Sequence, residues 1–444
     1  MTIEKTTGNY AGFPQKINAK TIKQYNFLIK TLRKKAGMET SPKKCFNIIK
    51  DYVVFFKDKH FDFSYLTSDN DKEFSGITEA YFIKTCKLRA LSRVEGIWIN
   101  PDSSLKVAIR QTSKNIFKAV IVKSKDEKLK PGLVYFTLIK DAKGYSYIRY
   151  NVLTNGYPAR QNGHLLQLWN TELWGKEYPE QMTPKEKDEL ATWRNYNFGL
   201  VFTKIDNKTA YIKIPTFNRD DLVQQLINKS DTAIRSCENL IVDLRGNGGG
   251  NTGWSYLLPY LITNPINQEY SYLRISPDNI KSSLADMEPI INNPVSEDMK
   301  KYFTSAFMLE YKNAYNEIPT SKLLFYPIPS ITIPVDSISK NPKKIALVFD
   351  ELCGSSTEYF FYISRQSTKA IRYGTNTLGM MDYVGMHTPT KLPFEKYNLV
   401  IPDKKSSWTD IKPIDTIGFK PEIDLSKLPK DTWINYIIKD LGRR

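Results

Sequence analysis

Two short stretches combine residue types that do covalent chemistry. The first is Asp243-Leu244-Arg245-Gly246-Asn247-Gly248-Gly249-Gly250, where an apolar run over 239–244 ends in four glycines within five residues. Glycine lets backbone N–H groups approach a ligand with no Cβ in the way. A cluster of glycines at a strand end can therefore hold an anion or an oxyanion. No Gly-Lys-Ser/Thr follows, as a Walker loop requires, and the spacing is not the G-x-G-x-x-G of a dinucleotide site. A flexible turn needs one or two glycines, not four. The second stretch is Cys353-Gly354-Ser355-Ser356-Thr357-Glu358, between an apolar run over 344–349 and a helical pattern over 356–365. A serine on so sharp a connection is exposed at the sheet edge, and the helix N-terminus beyond it favours developing negative charge. Attack by Ser355 would set the N–H of Ser356 against the oxyanion. An ordinary N-cap serine is the plainer reading of the same place. A third stretch, YGTNTLG over 373–379, could shape a cleft wall.

The elements that must position these residues alternate. From about residue 197 the pattern reads strand (210–215), helix (220–229), strand (239–244), helix (253–262), strand (344–349), helix (356–365) and strand (370–373). Near-continuous apolar strands of this kind belong to an α/β core with both sheet faces covered. Residues 264–335 form a long, Pro-marked insertion. Residues 94–168 instead hold short alternating stretches between turn-prone residues, which predicts a small antiparallel β-domain of about five strands. Residues 170–195 read as a polar linker or exposed helix. Residues 21–90 are mainly helical, with Ser41-Pro42 as a helix start and Phe46, Ile49, Val53 and Phe56 at helical spacing. A short alternating strand follows at Phe61-Asp62-Phe63. Residues 1 to about 20 read as a polar, loosely ordered lead-in. The expected organisation is a helical segment over 1–92, a β-domain and linker over 93–190, and an α/β core over 191–444.

The 444 residues carry 64 Lys+Arg and 47 Asp+Glu, so the net charge is 64 − 47 = +17. Hydrophobic residues make up 41%, which excludes a disordered chain. The positive charge is spread along the chain with no nucleic-acid motif beside it, so a nucleic-acid partner is not expected. Cys45, Cys86, Cys237 and Cys353 form no CxxC pair and are expected as buried small hydrophobes, not as a zinc site. No metal or cofactor is expected. The first 20 residues lack the apolar stretch of a signal peptide, and no run nears the roughly 18 apolar residues of a membrane span.

The order of the motifs resembles the tricorn-type and C-terminal (tail-specific) processing serine peptidases. Its elements are D-L-R-x-N-x-G-G at 243–250, S-[AS]-x-E at Ser355–Glu358, G-x-x-T-x-G at Gly374–Gly379 and G-[IV]-x-P-[DE]-[IV] at Gly418–Ile423. The resemblance spans roughly residues 197–430 and implies a ClpP/crotonase-like α/β core with no cofactor. It implies Ser355 as nucleophile and an oxyanion hole from the N–H of Ser356 with Gly248 or Gly249. The tail-specific branch takes its base from a lysine after the last Gly of the third motif. Here that residue is Met380, which cannot take a proton. The tricorn branch uses an N-terminal histidine, and Asp58-Lys59-His60 is similar to its D-G-H stretch, so His60 is the implied base. Asp415, three residues before Gly418, stands where that branch keeps an acid, usually glutamate, which orients the histidine. The other two histidines, His164 and His387, are expected on surface loops, with His387 near enough in sequence to reach the pocket. Glu358 and Asp382 are further pocket candidates. Residues 94–168 lack the carboxylate-binding loop of the PDZ module that many of these peptidases carry.

Two functions follow. One is a serine peptidase acting on peptides or unfolded protein. The alternative is an inactive relative that binds peptides or other ligands in the same cleft. The family's frequent work outside the cytoplasm implies a periplasmic or secreted protein whose signal peptide is absent from these residues, with the cytoplasm as the other option. Oligomeric state is not readable.

Overall fold

The β-branched and aromatic runs at 239–243 and 344–349 form the centre of a six-stranded sheet. The structure, a computed structural model, describes residues 1–142, 144–386 and 390–444. The sheet runs in the order Val201–Lys204, Thr209–Lys213, Asn239–Asp243, Lys344–Phe349, Ala370–Gly374, Ile423–Asp424. Its first pair is antiparallel and the others are parallel. Ile241, Ala346 and Val348 pack beneath Trp433, Ile437 and Leu441 of the C-terminal helix Trp433–Arg443. Leu240, Val242, Ile345 and Leu347 face the helices Asp220–Arg235 and Ser356–Ile363 on the other side. Burial on both faces is why these strands read as unbroken apolar runs. The helix expected over 253–262 is instead a 3-10 turn, Gly253–Leu257, followed by a single helical turn, Leu258–Leu261.

The β-domain differs from expectation. It is a closed antiparallel barrel of eight strands, not about five. The three missed strands are Tyr157–Asn162, Leu165–Leu168 and Glu172–Tyr178. They are short, carry Pro158 and Gly175, and so show little alternation. Closure removes the unpaired edges that an open sheet would leave. The last of these strands lies in the stretch read as linker. The rest of that stretch supplies the helix Pro184–Ala191, started by a reciprocal Thr183–Glu186 capping box.

The N-terminal lead-in is also structured. Residues Thr2–Asn9 and Phe13–Lys16 are helical, and Tyr10 and Ala11 are fully buried. Tyr10 stacks on Phe61 and meets Phe56 edge-on. These rings share one apolar cluster with Tyr383, Leu399 and Ile401 from the far end of the chain. The helix Pro42–Val54 starts where expected, but Ser41 makes no side-chain cap; its N–H goes to Glu39 Oε1 at 3.0 Å. The strand Asp62–Leu66 pairs antiparallel with Tyr397–Val400. That pairing brings the loop just before it, Asp58-Lys59-His60, onto the α/β core. The long insertion adds the helices Pro277–Asn292 and Ser305–Glu317 and contributes to a four-stranded antiparallel sheet. No described helix is long and apolar enough to cross a membrane. Cys86, Cys237 and Cys353 are buried and Cys45 is half-buried, all as free thiols.

Candidate active site

Ser355 sits at the junction of the strand Lys344–Phe349 and the helix Ser356–Ile363, with φ 52° and ψ −127°. A non-glycine residue rarely adopts such a backbone, and the strain points the side chain out at the end of the sheet. His60 Nε2 lies 3.2 Å from Ser355 Oγ. The other ring nitrogen, Nδ1, is 2.8 Å from the carbonyl oxygen of Tyr383. A carbonyl can only accept, so Nδ1 must carry the proton. That leaves Nε2 with a free lone pair aimed at the serine hydroxyl, the tautomer a general base needs. Burial pushes the His60 imidazole below its usual range, opposed by the Tyr383 carbonyl and the Asp415 charge, with Lys59 adding to the lowering. The ring is therefore neutral near pH 7.

Asp415 does not orient the ring by a direct bond, contrary to the sequence expectation. The Tyr383 carbonyl holds Nδ1, while Asp415 Oδ2 pairs with Lys16 Nζ at 2.8 Å. The shorter aspartate acts on His60 through its charge. Asp58 holds the histidine backbone instead. Its Oδ1 accepts the His60 N–H at 2.9 Å, and its Oδ2 accepts the Tyr10 hydroxyl at 2.8 Å.

The two pocket candidates that can be placed are braces, not pocket walls. Asp382 is 1% exposed; its carboxylate accepts the Trp408 indole N–H and the backbone N–H of Ile414 and Asp415, at 2.7–3.1 Å, and so fixes the loop that carries Asp415. Glu358 is fully buried and accepts from Thr377 Oγ1 and the N–H groups of Gly379 and Met380. Burial pushes its carboxyl up to about 7 against those bonds. In this way the third motif is tied to the helix that begins beside Ser355. The third candidate, His387, lies outside the described residues. His164 is remote from the serine in its contacts: its Nδ1 is 3.0 Å from Glu186 Oε2.

The glycine loop packs directly against the serine turn. A Cβ on Gly249 would come within 2.7–2.8 Å of Gly354 O, Ser355 Cβ and Ser356 N, and its φ is +91°, so no other residue fits. The Gly249 N–H is already donated to Asn247 Oδ1 at 2.9 Å. The N–H groups of Ser356 and Gly248, by contrast, have no acceptor among the described residues. Asn247 is the residue that sequence reasoning passed over, although it stands inside the first motif. Its Oδ1 also accepts Thr357 Oγ1, its Nδ2 donates to Ile214 O, and its carbonyl accepts Gly354 N–H. It is the tie between the two loops. Asn247→Ala strands three buried polar groups, so a loss of about 1–3 kcal/mol in unfolding free energy is expected by urea titration. A fall in turnover larger than that stability loss explains should accompany it.

The barrel supports the same loop from outside. Trp169 Nε1 donates to Leu352 O at 3.0 Å, and its ring covers Gly248, where a Cβ would clash with it. Arg160 reaches Asp350, whose Oδ1 accepts the Gly246 N–H at 3.0 Å. Burial pushes the Asp350 carboxyl up, but Arg160 and Lys430 outweigh it and hold it well below the usual carboxylate range. Among the described residues, no group of three or more His, Cys, Asp or Glu could hold a metal ion.

Residues 208–424 match the model of peptidase family S41. That stretch, just under half of the chain, is similar to the family, and the chain is a serine peptidase. No curated protein matches it in sequence. Among solved structures, mature CPAF is 14% identical with a TM-score of 0.51, over 98% of this chain and 94% of that one. Mature CPAF complexed with lactacystin is 13% identical, also with a TM-score of 0.51, over 98% and 95%. At such identity these structures speak to the fold, which extends across the helical segment and the barrel as well as the matched core.

Proposed function

We propose that the chain hydrolyses peptide bonds by attack of Ser355 Oγ on the substrate carbonyl, with His60 as general base. The 3.2 Å approach of His60 Nε2 to Ser355 Oγ, in the tautomer set by the Tyr383 carbonyl, carries this reading. His60 takes the serine proton as the tetrahedral intermediate forms and returns it to the leaving amine. The N–H groups of Ser356 and Gly248 stabilise the oxyanion; Gly249 serves to keep the loop close, since its own N–H is spent on Asn247. Water then attacks the acyl-enzyme with the same base.

The ClpP/crotonase-like description of the core and the division at 1–92, 93–190 and 191–444 belong to this proposal. In that division the site lies where all three parts meet. His60 comes from the first, Trp169 and Arg160 from the second, and Ser355 and the glycine loop from the third. A site built from three parts of the chain suits an extended, unfolded segment better than a folded surface. Work outside the cytoplasm, in a periplasm or after secretion, fits the same substrates. Incubation with a denatured, reduced protein should generate new N-termini, countable by amine-reactive labelling. A folded control should resist. No new N-termini from the unfolded substrate would remove the proposal.

A further inference from the structure

The N-terminal residues make contacts that the hydrolytic scheme above leaves unused. Three side chains within seven residues reach three separate supports of His60. Tyr10 Oη donates to Asp58, whose other oxygen holds the His60 N–H. Gln15 Oε1 accepts the hydroxyl of Tyr383 at 2.6 Å, and the Tyr383 carbonyl holds the imidazole. Lys16 Nζ bonds Asp415 Oδ2 at 2.8 Å and lies 5.2 Å from the centre of the Tyr383 ring. The pair is well covered, with side-chain exposures of 22% for Lys16 and 7% for Asp415. Among the described residues Lys16 is the one hydrogen-bond donor to the Asp415 carboxylate, whose Oδ1 is buried and unbonded.

We propose that Lys16 is a positioning residue for the hydrolytic reaction: by pairing with Asp415 it sets the net charge that faces His60. The proposal rests on the assignment of His60 as base.

The sign follows from the groups around the ring. Burial and the Asp415 charge push the Asp58 carboxyl up to about 7, against the pull of Lys16, the Tyr10 hydroxyl and the His60 N–H. At pH 6 Asp58 is therefore largely neutral, and the Lys16 and Asp415 charges cancel. Tyr10 and Tyr383 are uncharged there, burial and nearby carboxylates having raised both. Asp382 is pushed up to about 6 by burial and by Asp415. Asp410 is bonded by Gln15 and Lys405. Lys59 bonds the carbonyls of Leu378 and Gly379. Removing the Lys16 charge leaves Asp415 uncancelled, which favours the imidazolium and withdraws the base at mildly acid pH.

The test compares the pH dependence of kcat/KM for wild type, Lys16→Gln, Lys16→Met and Lys16→Arg. Glutamine can still donate to Asp415 but carries no charge, so it preserves the fold while removing the effect under test. In Lys16→Gln and Lys16→Met the acid limb should move up by about one pH unit. The plateau near pH 8 and KM should be little changed, and Lys16→Arg should restore the wild-type limb. A wild-type limb in Lys16→Gln, or an equal loss at every pH that arginine does not rescue, overturns the proposal. Titration of the His60 ring nitrogens by NMR in the same variants reads the shift without turnover. Absence of hydrolysis in wild type would therefore count against the peptidase mechanism, and an unmoved ring titration against Lys16.

Discussion

Ser355→Ala is expected to lower kcat/KM by about 10^4-fold or more while leaving the unfolding transition near its wild-type position. The methyl group that remains cannot attack, and among the described residues no other hydroxyl is bonded to His60 Nε2. Ser356 is next in the chain, but it opens the helix, and its contribution is the backbone N–H facing the glycine loop. The strained backbone at Ser355 supports the second half of the expectation. Alanine must adopt the same φ of 52°, so the strain is unchanged and stability has no reason to fall. Steady-state kinetics beside a denaturation curve checks both halves. Activity within tenfold of wild type would mean that the nucleophile is elsewhere.

His60→Ala should cost about as much, and the double variant little more than either single one, because the two side chains act as one unit. Without an acceptor at 3.2 Å, the serine proton has no place to go as the bond to carbon forms. Wild-type activity should itself depend on pH through this ring. The imidazole must be neutral to act, and burial lowers its affinity for a proton. Wild-type kcat/KM should therefore rise with pH through a midpoint below the ordinary value of about 6.5 and then level off. In His60→Ala the residual rate should lack that limb. A midpoint well above 6.5 would mean that the ring is held in its charged form, against the effect of its burial.

Much of the core was legible because backbone demands had residue signatures. Only glycine fits at Gly249, and continuous apolar runs mark strands covered on both faces. The motif order points to Ser355, and Met380 in place of a lysine points to a histidine. What escaped reading was whatever is fixed by contacts between distant segments. Tyr10, Gln15 and Lys16 stand in a polar stretch with no periodicity, because their partners lie at Asp58, Tyr383 and Asp415 and not on a shared helix face. The group that sets the His60 tautomer is a backbone carbonyl, which any residue at position 383 would supply. Asp415 could be placed by its motif, but its engagement with Lys16 could not. Asn247 was visible in the motif, yet only the geometry separates its bracing of the loop from the role of the glycines. The barrel's closing strands were missed for a similar reason, since closure is satisfied by short segments with weak alternation.

The central claim is that Ser355 is a nucleophile activated by His60. Labelling with a fluorophosphonate, followed by mass mapping of the modified peptide, tests it most directly, since the reagent reacts with an activated serine and needs no knowledge of the substrate. The account predicts one modified residue, Ser355, no labelling in Ser355→Ala, and labelling slowed by at least about 10^3-fold in His60→Ala. Modification at another residue, or undiminished labelling in either variant, would contradict it.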